Sequence, residues 1–387
     1  MAGEESFWFD VQQAFAVDRS VINLNNGGVS PAPRFVLDAA RRHFEFANQL
    51  PSRNLWTILD PQVETVRKRL ARAFNCDAEE MAITRNSSEA LEIAILGLDL
   101  QPGDEILSTA QDYPRMLNTI KQREQREKIV LKTFDYPTPP PSLEFLVGLF
   151  EKNITPRTKV ILVSHMTTYT GQVFPVQRIS AMARARGIKC IVDGAHAFGQ
   201  IAFDGGAIGC DFYGTSLHKW LTAPHGTGFL YVRKENITGH WPMMAAPDPK
   251  KDDIRKFEEI GTHSDAARLA IAEALVFYEG LGPERKEARL RFLRDRFARR
   301  LSANERVTLR TSLDPAQSCA LATLNFTDVD RDKLVAHLWN QHKIVVSPIS
   351  HPGAEGIRVS PNVYTTLGEI DMFCDVIEKV LRDGLPA

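Results

Sequence analysis

VILVSHMTTYTGQVFPVQRISAMARARGIKCIVDGAH, residues 160–196, decides how the rest of the chain is read. It opens on a short β-rich run, VILVS, and closes on a second one, KCIVD. Between them lies a helical pattern that begins just after Pro175 and stops before Gly187, the punctuation expected of a helix. Strand, helix and strand in this order mark a crossover between parallel strands. The alternation extends outward in both directions, through AITR at 82–85, EILST at 105–109, IVLKTF at 129–134, DFYGTS at 211–216 and GFLYVR at 228–233, with helical patterns over 88–98 and 143–151. An α/β domain with a mostly parallel seven-stranded sheet is therefore expected.

Beyond residue 264 the pattern changes. One or two long charged helices run to residue 301, broken at 280–283 by Gly280, Gly282 and Pro283. Then come strand 320–326, helix 331–341, strands 344–348 and 356–360, and helix 366–381, a small α+β unit. The expected division is an N-terminal segment over 1–20, a large domain over 21–265, and linker helices with a small C-terminal domain over 266–387. DYPTPPPS at 135–142 reads as an extended loop.

The 387 residues are 43% hydrophobic and 25% charged, and 47 basic against 48 acidic side chains leave a net charge of -1. That is an ordinary globular composition with no basic run to attract nucleic acid or an anionic membrane. Its five cysteines form no C-x-x-C pair, so reduced thiols in the cytoplasm are expected, with no disulfide framework and no metal. The acidic start MAGEESFWFDVQQAF has no apolar signal core, and no apolar stretch approaches the ~18 residues of a spanning helix.

Three constellations carry chemistry. Asp193 ends the run KCIVD, and a carboxylate at the C-terminal end of such a strand faces the crevice where open α/β sheets bind ligands; an aspartate before Gly194 could equally be a turn former. Lys219, in SLHKWL, is flanked by Leu217, His218 and Trp220, a setting that would lower its pKa toward that of a usable amine. It could instead snorkel from a loop. Asn86, Ser87 and Ser88 stand where a strand meets a helix, so free N–H groups and hydroxyls converge on any phosphate, although a plain N-cap explains one serine as well. An amine, a carboxylate and an anion cradle together are what pyridoxal 5′-phosphate requires.

At these residues the sequence resembles the class V aminotransferase family of fold-type I pyridoxal-phosphate enzymes, and within it the isopenicillin N epimerase-like group. The likeness runs from about residue 22 to 381. It rests on NLNNGGVSPAP at 23–33, TRNSSEA at 84–90, SHMTTYTGQVFPV at 164–176, DGAHAFG at 193–199, SLHKWL at 216–221, EEIGT at 258–262 and GIRVSPNVYTT at 356–366. The resemblance implies that Lys219 is the Schiff-base lysine and proton carrier at Cα. By the same likeness Asp193 keeps the pyridine nitrogen protonated and His196 lies near the cofactor's O3′. Ser87, Ser88, Ser216 and His218 would hold the phosphate, together with Asn86. A Gly-Thr such as Gly261 and Thr262 would reach the phosphate of a neighbouring subunit, implying a homodimer with shared sites.

Tyr113, in QDYPRM, stands where relatives place an aromatic ring over the pyridine, or else is a loop tyrosine packed on the sheet. Arg358 would clamp the substrate carboxylate through its bidentate fork; the alternative is an exposed strand arginine. Asn25 and Asn26 would lie at the substrate entrance, or simply form a turn. Two departures from the family pattern stand out. Thr168 occupies a position where many relatives carry asparagine, shortening or replacing a cofactor contact. The loop VSPISHPGAEGIR lacks the nucleophilic cysteine of cysteine desulfurases, which disfavours persulfide chemistry.

The resemblance favours epimerisation of an amino-acid substrate, with Tyr113 or His351 supplying a second proton. Asp193 weighs against simple racemisation, since racemases of other folds often avoid an acid at the pyridine nitrogen. A C–S β-lyase or a transaminase is the alternative reaction. A non-catalytic protein on the same fold would have lost the lysine or the acid, and this chain has both.

Overall fold

Val160, Ile161, Leu162 and Val163 are buried one after another, as a strand covered by helices on both faces requires. The computed structural model describes residues 2–385; Met1 and residues 386–387, which fall within the expected N-terminal and C-terminal units, lie outside the described residues. After a short β1 (Ile22–Asn23), one sheet is built from β2 (Met81–Thr84), β3 (Glu105–Thr109), β4 (Val130–Phe134), β5 (Thr158–Ser164), β6 (Lys189–Asp193), β7 (Phe212–Ser216) and β8 (Gly228–Val232). Their spatial order is β2-β8-β7-β6-β5-β3-β4. Only β8 runs against its neighbours; the other pairs are parallel. The expected fold class is the one observed, with apolar clusters on the two faces of the sheet.

Parallel strands joined by crossover helices point the same way, so the turns after β2, β3, β5, β6 and β7 gather at one edge. Helix Ser87–Leu96 follows β2 with Asn86 as its N-cap, the Asn86 side chain accepting from Glu89 N–H at 2.9 Å. Helix Val176–Arg184 begins after Pro175 as the sequence predicts.

A second sheet is antiparallel, with β9 (Val307–Leu309), β10 (Ala322–Phe326), β12 (Ser347–Ile349) and β13 (Gly356–Val359) in the order β12-β13-β10-β9. The strand expected over 344–348 is two: β11 (Ile344–Val345) pairs in parallel with β1, and β12 joins the antiparallel sheet.

The apolar clusters do not follow the expected divisions of the chain. Ile22 and Leu24 pack with Leu293, Phe297, Ile344 and Ile370, in the core of the C-terminal unit. Leu269, Ile271, Leu275 and Tyr278 pack instead with the large sheet's core, so the linker helix Ile271–Leu281 belongs there. The N-terminal segment is no appendage either: helix Glu5–Gln13 buries Trp8 and Val11, and with Phe15 they pack among Trp220, Leu290 and Tyr364. A side chain's apolar partner, rather than its place along the chain, decides which core it joins. Among the described residues no helix is long and apolar enough to cross a membrane.

Gly194, immediately after Asp193, lies under the Tyr213 ring, and a Cβ there would stand 2.1 Å from two ring carbons. Tyr213 is fully buried and has nowhere to move. Gly194→Ala is expected to destabilise the fold by about 1–3 kcal/mol through overpacking; a urea midpoint equal to wild type would contradict the close approach.

Candidate active site

The gathered turns enclose a cavity of about 590 Å³. Its wall includes Asn86, Ser87 and Ser88 from the turn after β2, Tyr113 from that after β3, and Thr168 and Tyr169 from beyond β5. Asp193 and His196 come from β6 and its turn, Ser216, His218 and Lys219 from β7 and its turn, and Arg358 from β13.

Lys219 reaches the cavity from a turn packed between buried Leu217 and Trp220. Burial lowers its pKa to about 8; Arg358 adds to the fall and Asp193 opposes it. Asp193 is buried at the cavity floor, where loss of water pushes its carboxyl up to about 6 against the Lys219 charge and an Ala195 N–H donated at 2.9 Å. At neutral pH the pair therefore combines a carboxylate with an amine that deprotonates readily. His196 Nε2 lies 3.3 Å from Lys219 Nζ, and its Nδ1 accepts from the Trp220 indole N–H at 3.4 Å. Burial holds His196 well below the usual imidazole range, so the ring is neutral.

At the other end of the cavity Ser216 Oγ accepts from Ser87 N–H at 2.9 Å and donates to Ser87 Oγ at 3.0 Å, tying β7 to the first turn of helix Ser87–Leu96. Ser88 and Asn86 face the same space. His218 Nδ1 is buried with no partner among the described residues, and burial beside Lys219 and His225 pulls its pKa to about 4. An orphaned ring nitrogen beside two hydroxyls and a helix N-terminus suits an incoming phosphate oxygen.

Arg358 is no exposed strand arginine: it is buried, and burial lowers its pKa to about 10. Its guanidinium donates to Thr168 O at 2.8 Å and Thr168 Oγ1 at 2.9 Å, and its second arm donates to Asn25 Oδ1 at 3.0 Å. These acceptors are neutral and no ion pair is made among the described residues, so a positive charge waits in the wall for an anion.

Several expected residues are placed differently from the reading of the sequence. Asn25 meets Arg358 and so orients the clamp. Asn26 is fully buried, donating to Ser360 O at 3.0 Å and accepting from Tyr364 O–H at 2.6 Å, and it lies behind the wall. Thr168 is occupied by Arg358. Thr262 is exposed and lines a separate groove of about 480 Å³ with Trp56, Arg67 and Glu258, apart from Lys219 within one chain. Glu258 anchors this loop, accepting from Ile83 N–H at 2.6 Å and pairing with Arg67 and Arg268. His351 is not part of the cavity wall, and its ring nitrogens stand against Ala110 O and Pro352 O at 2.8 Å.

Two residues had escaped the reading. Tyr169 shares the cavity wall and lies 4.8 Å, ring to ring, from His351. Asp112 is buried and accepts from Ser108, Thr109 and Ser164, lacing the ends of β3 and β5 together beside Tyr113. Its place in QDYP, directly before the proposed aromatic residue, was the only available signal.

The model of the family described as Aminotransferase class-V matches residues 22–373. Isopenicillin N epimerase from Streptomyces clavuligerus is 30% identical over 390 residues, covering 96% of this chain and 98% of that protein. A probable cysteine desulfurase from Pyrococcus abyssi is 24% identical over 404 residues, covering 96% and 97%. Among solved structures, apo cysteine desulfurase from Thermococcus onnurineus NA1 superimposes with a TM-score of 0.84 at 22% identity, covering 97% of this chain and 98% of that one. A C-DES mutant with glycine covalently linked to its PLP cofactor gives a TM-score of 0.83 at 21% identity, covering 95% and 98%. With a lysine, a carboxylate, an anion cradle and an unpaired arginine around one cavity, the chain belongs to the class-V aminotransferase family and is one of its pyridoxal-phosphate enzymes.

Proposed function

We propose that the enzyme epimerises an amino-acid-derived substrate at Cα. The observation that carries this reading is that the cavity presents two kinds of proton-bearing group, the amine of Lys219 and the phenols of Tyr113 and Tyr169. Inversion needs one group to take the Cα proton and another to return one. Burial, with Tyr113 and Asp112 nearby, raises the Tyr169 pKa and keeps it a proton donor. The full-length similarity to isopenicillin N epimerase supports the same reaction. Among the described residues no cysteine lines the cavity; Cys190, Cys210, Cys319 and Cys374 are buried free thiols elsewhere, which speaks against a persulfide route and suits a reducing cytoplasm.

Bound, the cofactor would supply an electron sink for negative charge developing at the substrate Cα. Ser87, Ser88, Ser216 and His218, with Asn86 as the helix cap, hold its phosphate, and Asp193 sets the charge of its ring nitrogen. His196 orients Lys219, and Tyr113 stands by the ring. Arg358, positioned by Thr168 and Asn25, takes the substrate carboxylate. Thr262 completes the phosphate site of a second subunit, so the working unit is a homodimer with shared sites.

Borohydride reduction should fix the cofactor on Lys219, and Lys219→Ala should remove that label without unfolding the protein. Only the neutral amine condenses, so cofactor uptake by the stripped protein should climb as pH rises through about 8 and level off above it. A flat profile, or a label on another lysine, would remove Lys219 from this role. Mixing Lys219→Ala with Thr262→Ala protein should restore part of the activity, because one site of each heterodimer holds both native residues; no recovery on subunit exchange would exclude the shared site. In deuterated water a true substrate should gain Cα deuterium and yield its inverted stereoisomer. Keto acid with ammonia would mark a lyase instead, and keto acid with aminated cofactor a transaminase.

A further inference from the structure

Lys286 is buried to 1% exposure in helix Pro283–Ser302, and no carboxylate pairs with it among the described residues. Its ammonium donates to the Trp220 carbonyl and lies 5.5 Å from the centre of the Tyr278 ring. Such a cation is costly, since desolvation is repaid only by one charge-assisted hydrogen bond and a ring face. A methionine or leucine would fill the same space without that cost. Burial pulls the Lys286 pKa down to about 7, so at the pH where Lys219 titrates it holds the carbonyl chiefly as a neutral N–H donor.

The carbonyl it holds belongs to the residue directly after Lys219. Two positions further on, Thr222 sits at φ +59°, in the left-handed region that a β-branched residue rarely adopts. The turn is also crowded: a Cβ on Gly199 would stand 2.7 Å from Leu221 N. A strained turn persists only where neighbours hold it. The Trp220 side chain links this turn to the site through His196. Because His196 Nδ1 accepts the indole N–H, the neutral ring carries its proton on Nε2 and donates it to the Lys219 lone pair. That hydrogen bond favours the unprotonated amine.

We propose that Lys286 is a positioning residue for Lys219: by clamping the Trp220 carbonyl it holds the strained turn and so fixes the indole that aims His196 at the Lys219 amine.

The test reads the pKa of Lys219 in the full-length protein stripped of cofactor, from the pH dependence of its acetylation by acetic anhydride followed by peptide mass spectrometry. It therefore does not depend on which reaction the enzyme performs, and a failed epimerisation assay leaves it standing. Lys286→Met should shift the midpoint upward by about one pH unit, a tenfold change, as one hydrogen bond to the neutral amine is lost. Lys286→Arg, which keeps an N–H donor for the Trp220 carbonyl, should restore most of the shift. Trp220→Phe removes the indole N–H without changing any charge and should give the same upward shift. If Lys286→Met does not fold, Lys286→Leu read in the same way takes its place, and a wild-type midpoint there would overturn the proposal. A wild-type midpoint in folded Lys286→Met, with or without a lower melting temperature, would reduce Lys286 to a packing residue and overturn the proposal, as would a wild-type midpoint in Trp220→Phe.

Discussion

Loss of water around Lys219 is the constraint on which the site depends. A lysine in bulk water stays protonated at neutral pH; here burial brings its pKa to about 8, while Asp193 pulls the other way. The same dryness lifts Asp193 to about 6, so the two groups are tuned by one environment. That environment exists because the strand ends are covered. Asp112 laces β3 to β5, and Ser216 and Ser87 lace β7 to the helix after β2, so the turns bearing the reactive groups cannot spread apart and admit solvent.

Arg358 shows why a second unit is needed. A parallel sheet can bring acid, amine and phosphate cradle to one edge, but it has no strand left to carry a cation across the cavity. The antiparallel sheet supplies it from β13, and Thr168 and Asn25 hold its fork from two other parts of the chain. The pairing of β1 with β11 brings the NNGG turn to that point, and buried Asn26 fixes it through Ser360 and Tyr364. Asparagines that read as an entrance thus serve the clamp.

The carboxylates of Glu258, paired with Arg67 and Arg268, and of Asp112, with its hydroxyl donors, find partners within the chain and act as joints. Among the described residues His218 Nδ1 has no hydrogen-bond partner and the charge of Arg358 no carboxylate, and both residues line the cavity. Burial without a partner is unfavourable unless a ligand completes the set.

By itself the sequence determined the alternation of strands and helices, and with it the mostly parallel sheet, because periodicity and Pro/Gly punctuation are local properties. It also placed Asp193, Lys219 and the serines at strand ends, since in this architecture a position along the chain is already a position in space. Tertiary packing alone decided the rest. Ile22 and Leu24 joined a core formed by residues from 293 onward because their apolar partners lie there, and the helix 271–281 joined the large sheet for the same reason. Thr168 and Asn25 became holders of Arg358, His351 fell outside the cavity wall, and Tyr169 became part of it. Side-chain direction in a turn depends on what packs against it from distant segments, and no window of sequence contains those neighbours.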